Sequence, residues 1–276
     1  MFIDNIIPSS ALAEYVRIYR IIDFFFADEP PLFPKLYTPR PEICLQFYPK
    51  EREKIQYQNE AEAKTGNEIS ITGQHTIVQN RFVPKSFLSL QVVFQPGALY
   101  RLTGVPAALF TDATIDAADV FSKDLGFVTE QLLEAVQYSQ MIAIVEAFLI
   151  KIIKRVTTPC HTISKVANAM MFDTNEHTLD DFTKQAFICA RQFDRKFYEL
   201  VGINPKRFLK IIRFDRAFRL KNRFPKMDWL TIAIHCGYHD YQHLAKDYKE
   251  FTGLTPSTFF DFETKGPDRL VGVSEV

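Results

Sequence analysis

The chain has no close cysteine pair: Cys44, Cys160, Cys189 and Cys236 are widely separated. That excludes both the ligand spacing of a structural zinc site and the framework of a disulfide-stapled secreted domain. Histidine is scarce too, with six in all and only His75 among the first 160 residues. A cupin-like metal enzyme, which needs several imidazoles and carboxylates converging, therefore has too few ligands in that half, and no cofactor, metal site or catalysis is expected. The longest greasy stretch, Met141 to Ile150, is broken by Glu146 and is about half of the roughly 20 residues that a membrane-spanning helix needs. The opening MFIDNIIPSS carries Asp4 and no basic segment before an apolar core, so it does not read as a secretory signal. The expected location is the cytoplasm, without a membrane span.

Net charge is absent as well, 33 basic against 33 acidic residues. Its distribution is uneven. From Lys184 to Lys226 there are 13 basic residues against Asp194, Glu199 and Asp215, a local charge of +10. Such a segment suits a polyanionic partner, or else is a solvated helix face.

What the chain does have is size and apolar content: 276 residues, 47% hydrophobic, 24% charged, with 26 Phe. That is enough for two domains with filled cores. The first 110 or so residues alternate in the manner of strands, with Ile43, Leu45 and Phe47 on one face and Leu88, Leu90, Val92 and Phe94 on another. Glu51 to Lys64, ending at Thr65-Gly66-Asn67, has the composition of a hairpin tip or loop. A β-sandwich or barrel-like, cupin-like domain follows. After Asp116 helical spacing takes over, with Asp116 and Thr129 as candidate N-caps and a long helix from about Gln140 to Val156. Its stripe of Met141, Ile144, Val145, Phe148 and Ile152 can dock on the β domain or on a second copy of the chain. Thr157-Thr158-Pro159 breaks that helix. The expected organisation is α+β: residues 1–158 β-rich with following helices, 159–265 all-α, and 266–276 a flexible tail.

The all-α part repeats itself at an offset of 51 residues. Phe193 pairs with Leu244, Arg195 with Lys246, Phe197 with Tyr248, Glu199 with Glu250, Gly202 with Gly253 and Pro205 with Pro256. Each copy reads as short helix, tight turn, second helix, Gly stop and Pro, the signature of a helix-turn-helix. In the first, Thr178 opens a helix with Leu179, Phe182 and Ala186 inward, Phe187 to Cys189 turn, and Ala190 to Leu200 form the second helix. In the second, Ile232 and Ala233 face inward, Gly237 permits the turn, and Tyr241 to Phe251 form the second helix. Pro205 opens a connecting helix to about Arg223, with Leu209, Ile212, Ala217 and Leu220 apolar. Its roughly 18 residues make a rod about 27 Å long, against about 34 Å for one DNA turn.

Residues near the start of such second helices reach base edges in a major groove. Arg191, Asp194 and Arg195 hold that face in the first unit, and Tyr241, Gln242, Ala245 and Lys246 in the second. An Arg forks to guanine, a Gln to adenine, and Ala or Tyr meets a thymine methyl. Lys196, Lys206, Arg207 and His243 are placed to meet the sugar-phosphate backbone. His235, Cys236, His239 and His243 also fall within nine residues, but they straddle the glycine turn instead of sharing one helix face, and no second cluster completes a ligand set.

These residues resemble the AraC/XylS transcription regulators over about Ile163 to Phe262. The most specific matches are Arg213-Phe214-Asp215-Arg216-Ala217, Ile232-Ala233, Gly237 to Leu244, Tyr248, Gly253 and Pro256. Thr183 stands where that family usually has Ala, and Cys189 where it usually has the Ser cap of the first recognition helix. Phe94 to Ala98 and Gly104 to Ala107 are similar to a β-rich sensor domain attached to some members. The resemblance implies a sequence-specific regulator, activator among the expected roles, with double-stranded DNA as partner and two successive major-groove segments read. RNA polymerase, a small-molecule effector and a homodimer are the further partners it implies. An architectural DNA binder without sequence preference is the rival within the same chemistry.

Overall fold

The computed structural model describes residues 2–27, 33–58, 60–121, 125–174 and 177–266. Apart from Gly266, the predicted tail lies outside them. Among the described residues ten strands come first: β1 (Phe2–Ile6), β2 (Val16–Phe25), β3 (Lys35–Tyr37), β4 (Cys44–Phe47), β5 (Lys54–Gln56), β6 (Lys64–Thr65), β7 (Ile69–Thr72), β8 (Gln79–Phe82), β9 (Ser86–Phe94) and, after helix α1 (Ala98–Thr103), β10 (Thr114–Asp116). They form one sheet in the order β1-β2-β9-β4-β7-β10 and a second in the order β3-β8-β5-β6. All pairings between these strands are antiparallel.

The expected strands at residues 42–47 and 88–95 are present, but they are buried on both faces. One face carries Leu45, Phe47, Leu88, Leu90, Val92 and Phe94 into the apolar core. The other carries a row in register, Arg20, Gln91, Gln46 and Ser70, which faces a polar interior. Alternation alone reads such a strand as half-exposed, because a buried amide and a solvated one look alike in sequence. Polar groups can lie here because they bond one another. Arg20 reaches Gln91 at 2.9 Å and both carboxylate oxygens of Glu42 at 3.0 and 3.1 Å. Those guanidinium contacts, with Arg40 and Arg17 nearby, outweigh the cost of burial and hold the Glu42 carboxyl well below the usual carboxylate range.

The stretch from Glu51 to Lys64 is not wholly loop, since β5 lies inside it and pairs with β8 and, at Ile55, with Lys64. Asp116 does cap, accepting from the Ala118 N–H at 2.8 Å. Thr129 does not; it sits within α2 (Leu125–Glu134). The long helix α3 runs Tyr138–Ile153, shorter at the end than the expected Val156. Met141, Val145, Phe148 and Leu149 pack into the β-domain core, with Ile144 and Ile152 half-buried beside them. That apolar stripe is used inside the chain.

Among the described residues seven helices follow: α4 (Thr162–Phe172), α5 (Leu179–Gln185), α6 (Ala190–Val201), α7 (Pro205–Arg223), α8 (Trp229–His235), α9 (Tyr241–Thr252) and α10 (Pro256–Glu263). They enclose a second core, to which Leu36 of β3 also belongs. The β-rich part touches both ends of this helical part. The Thr111 hydroxyl donates to the Gly202 carbonyl at 2.5 Å, and the Val78 N–H donates to the Phe251 carbonyl at 2.8 Å. Lys35 and Glu263, 228 positions apart, form a buried ion pair at 2.6 Å. No helix among the described residues is long and apolar enough to cross a membrane.

Candidate nucleic-acid interface

Local chemistry sets the ends of the two helix-turn-helix units. Thr178 and Asp181 form a reciprocal capping box at the start of α5, satisfying N–H groups that a helix start leaves unpaired. Asp228 accepts from the Thr231 N–H at 2.9 Å and opens α8. Asp240 accepts from the His243 N–H at 2.8 Å and opens α9. Cys189 begins α6 with no side-chain cap, so the second helix of the first unit has the weaker start. Gly202 and Gly253 end α6 and α9 at φ of 94° and 77°, backbone that a side chain resists. The turns differ: in the second unit Gly237 takes the left-handed conformation, while in the first Phe187 takes it at φ 57°, the residue being 89% exposed.

Phe193 and Phe197 of α6 face inward, the latter meeting Phe208 of α7 at 5.4 Å between ring centres. In the second unit Phe214 of α7 packs on Tyr248 at 4.8 Å and on Phe251 at 5.2 Å. The connecting helix thus has a unit on each side, and its inner face is wider than periodicity implied. Ile212 and Ala217 are buried as expected and Leu209 and Leu220 only half-buried, whereas Phe208, Ile211, Phe214 and Phe218 carry most of the packing.

The +10 segment also divides. On α7, Lys210 pairs with Asp247 at 3.1 Å and Glu250 at 2.6 Å. Arg219 pairs with Asp215, Arg216 donates to the Met171 carbonyl, and Lys221 donates to the carbonyls of Pro225 and Met227. Lys210 and Arg216 thus tie α7 to α9 and α4, while Arg219 and Lys221 are engaged within α7 and the turn after it. Arg191, Asp194 and Arg195 on α6, and Tyr241, Gln242 and Lys246 on α9, are exposed, with Ala245 half-buried beside them. Of the residues assigned to the DNA backbone, Lys206 and His243 are exposed, Lys196 pairs with Glu199 at 2.8 Å, and Arg207 turns to the β-rich part, donating to the Thr76 carbonyl at 3.4 Å.

His239 and His243 stack in parallel, ring centres 6.0 Å apart at 6°. Cys236 is buried, and burial pushes its thiol up to about 11. Among the described residues no group of three or more His, Cys, Asp or Glu side chains comes together in a way that holds a metal ion. Two features escaped the sequence reading, the exposed Phe187 and the ring stack. The first was signalled by the missing glycine at a turn whose repeat partner has one; the second needs three-dimensional placement.

Residues 182–261 match the family described as a helix-turn-helix domain, and residues 4–116 match a domain of unknown function, DUF6597. A relative from Haemophilus influenzae, named an uncharacterized HTH-type transcriptional regulator, is 30% identical over 86 residues, 31% of this chain and 28% of the relative. The match therefore spans less than a third of either protein. A solved structure of ToxT from Vibrio cholerae superposes at a TM-score of 0.46 with 13% identity, covering 92% of this chain and 99% of that one. An unsaturated fatty acid bound form of ToxT gives a TM-score of 0.45 and 14% identity over 94% and 97%. With a β-rich part ahead of them, the two capped helix-turn-helix units on one connecting helix fall in the stretch, residues 182–261, that matches the helix-turn-helix domain family, and in this the chain is similar to the AraC-type transcription regulators.

Proposed function

We propose that the chain regulates transcription by binding double-stranded DNA in a sequence-specific manner, with α6 and α9 entering two successive major-groove segments. The observation that carries this is the matched exposure of base-reading side chain types at the starts of both second helices. A single 19-residue helix, about 28 Å long, joins the two units. In this reading Arg191, Asp194, Arg195, Tyr241, Gln242, Ala245 and Lys246 face bases, and Lys206 and His243 face phosphates. Lys196 and Arg207 reach phosphates after exchanging their present partners. The boundary between the β-rich and DNA-binding domains is placed at Thr158–Pro159. RNA polymerase is the downstream partner, and a small-molecule effector or a second copy acts through residues 1–158.

In vitro selection from a random duplex library at fixed salt tests the reading. Recovery of two short motifs about one helical turn apart is expected. Gln242→Ala then relaxes the preference at one motif more than it lowers nonspecific affinity, with discrimination falling by roughly 1–3 kcal/mol at one base. Enrichment of no sequence overturns the specific reading and favours an architectural binder.

A further inference from the structure

Between the two units, over the N-terminal half of α7, runs a groove of about 950 Å³. Its walls bring together Lys206, Lys210, Arg213 and Arg216 of α7 with His239, His243 and Lys246 from the start of the second unit's recognition helix. Three of these cations are engaged within the fold. Lys210 is held by Asp247 and Glu250, Arg213 lies 3.8 Å from Asp247 and over the Tyr238 ring, and Arg216 donates to the Met171 carbonyl. Lys206, Lys246, His239 and His243 stand exposed along the rim. Resting on the DNA-binding reading above, we propose that this groove seats the sugar-phosphate backbone between the two major-groove segments, and that His239 and His243 grip it as imidazolium ions, so that DNA binding takes up protons.

The ring geometry supports that chemistry. His243 Nδ1 lies 3.0 Å from Asp240 Oδ1. A ring that donates from Nδ1 takes its second proton at Nε2. Asp240 remains a carboxylate, because the His243 N–H holds it below the ordinary range. With His239 stacked face to face on His243 at 6.0 Å, two imidazolium charges repel one another in the free protein. A phosphate at the rim removes that repulsion and accepts charge-assisted hydrogen bonds from both rings. The other charges facing the pair are Lys206, Lys210, Arg213 and Arg216 from α7, and Lys246 and Asp247 from α9. Asp173 and His177, 2.7 Å apart, face it from the connection between α4 and α5.

The test measures binding of the full chain to a mixed-sequence duplex of about 30 base pairs at one ionic strength, from about pH 8 to about pH 6, because phosphate contacts are independent of sequence. Affinity is expected to rise roughly tenfold over that range for each proton linked to binding. The His239→Gln, His243→Gln double variant loses the pH dependence and binds weakly throughout. The His239→Lys, His243→Lys double variant binds tightly at both ends of the range, which a structural role for the rings would not produce. Thermal melts verify that these exposed substitutions leave the fold intact. A wild-type affinity that does not change with pH, or a Gln double variant that keeps the dependence, overturns the inference. No DNA binding by the wild-type chain at any pH instead overturns the DNA-binding reading itself.

Discussion

Replacing Phe187 with glycine is expected to stabilise the protein. Phe187 sits at φ 57° in the first unit's turn and is 89% exposed, so the side chain strains the backbone and buries almost nothing in return. The left-handed conformation costs a residue with a Cβ about 1–2 kcal/mol. Glycine removes that strain but returns about 0.5–1 kcal/mol through the greater freedom of its unfolded chain. The net gain is about 0.5–1 kcal/mol, a rise in melting temperature of about 1–4 °C for a chain of this size class. The control is Phe187→Ala, which discards the ring and keeps the Cβ, and is expected within about 0.5 kcal/mol of wild type. Thermal and denaturant unfolding of the three proteins side by side measures this. A glycine variant no more stable than the alanine variant refutes the argument from backbone strain.

Lys35→Met is expected to cost about 3–5 kcal/mol, because it removes the ammonium group that pairs with the buried Glu263 carboxylate; the two side chains are 11% and 1% exposed and 2.6 Å apart. Adding Glu263→Gln should restore part of the loss, and a Lys35→Met variant of unchanged stability would remove the pair as an anchor between the β-rich and helical parts. Gly237→Val places a β-branched residue at φ 79° and should unfold the second unit, read as lost DNA binding with lost helical signal; normal folding would refute the turn assignment. His75 is fully enclosed and its imidazole is pushed down to about 3, first by burial and then by Arg81, against about 6.5 in an unfolded chain. Between those values the unfolded chain binds the extra proton, so stability present above about pH 6.5 falls as the pH drops toward 3. His75→Gln should flatten that decline in unfolding free energy, and an unchanged slope would show that other groups carry it.

Much of the helical part could be read from its residues because its determinants are local. Asn204 accepting from the Arg207 N–H at 2.8 Å, Asp228, Asp240, and the glycines at 202 and 253 each act within one turn of chain. Their meaning therefore does not depend on distant neighbours. The repeat at 51 residues placed the second helix of both units for the same reason. Thr129 misled because a β-branched polar residue serves as a cap only where a helix begins, and here α2 begins earlier, at Leu125.

What composition and periodicity determined about this protein was its class: two cores, a β-rich half, two helix-turn-helix units and a rod between them. Tertiary structure alone decided which charges remain available to a partner. Lys210, Arg216 and Lys221 look like Arg191 and Lys246 in sequence, yet the first three are taken by acceptors supplied from other helices and loops. It also decided that Gln46 and Gln91 lie in a buried polar interior, and that Lys35 meets Glu263 across 228 positions. Each of these outcomes depends on what the fold brings within about 3 Å of a polar atom, and spacing along one segment carries no record of a partner hundreds of residues away.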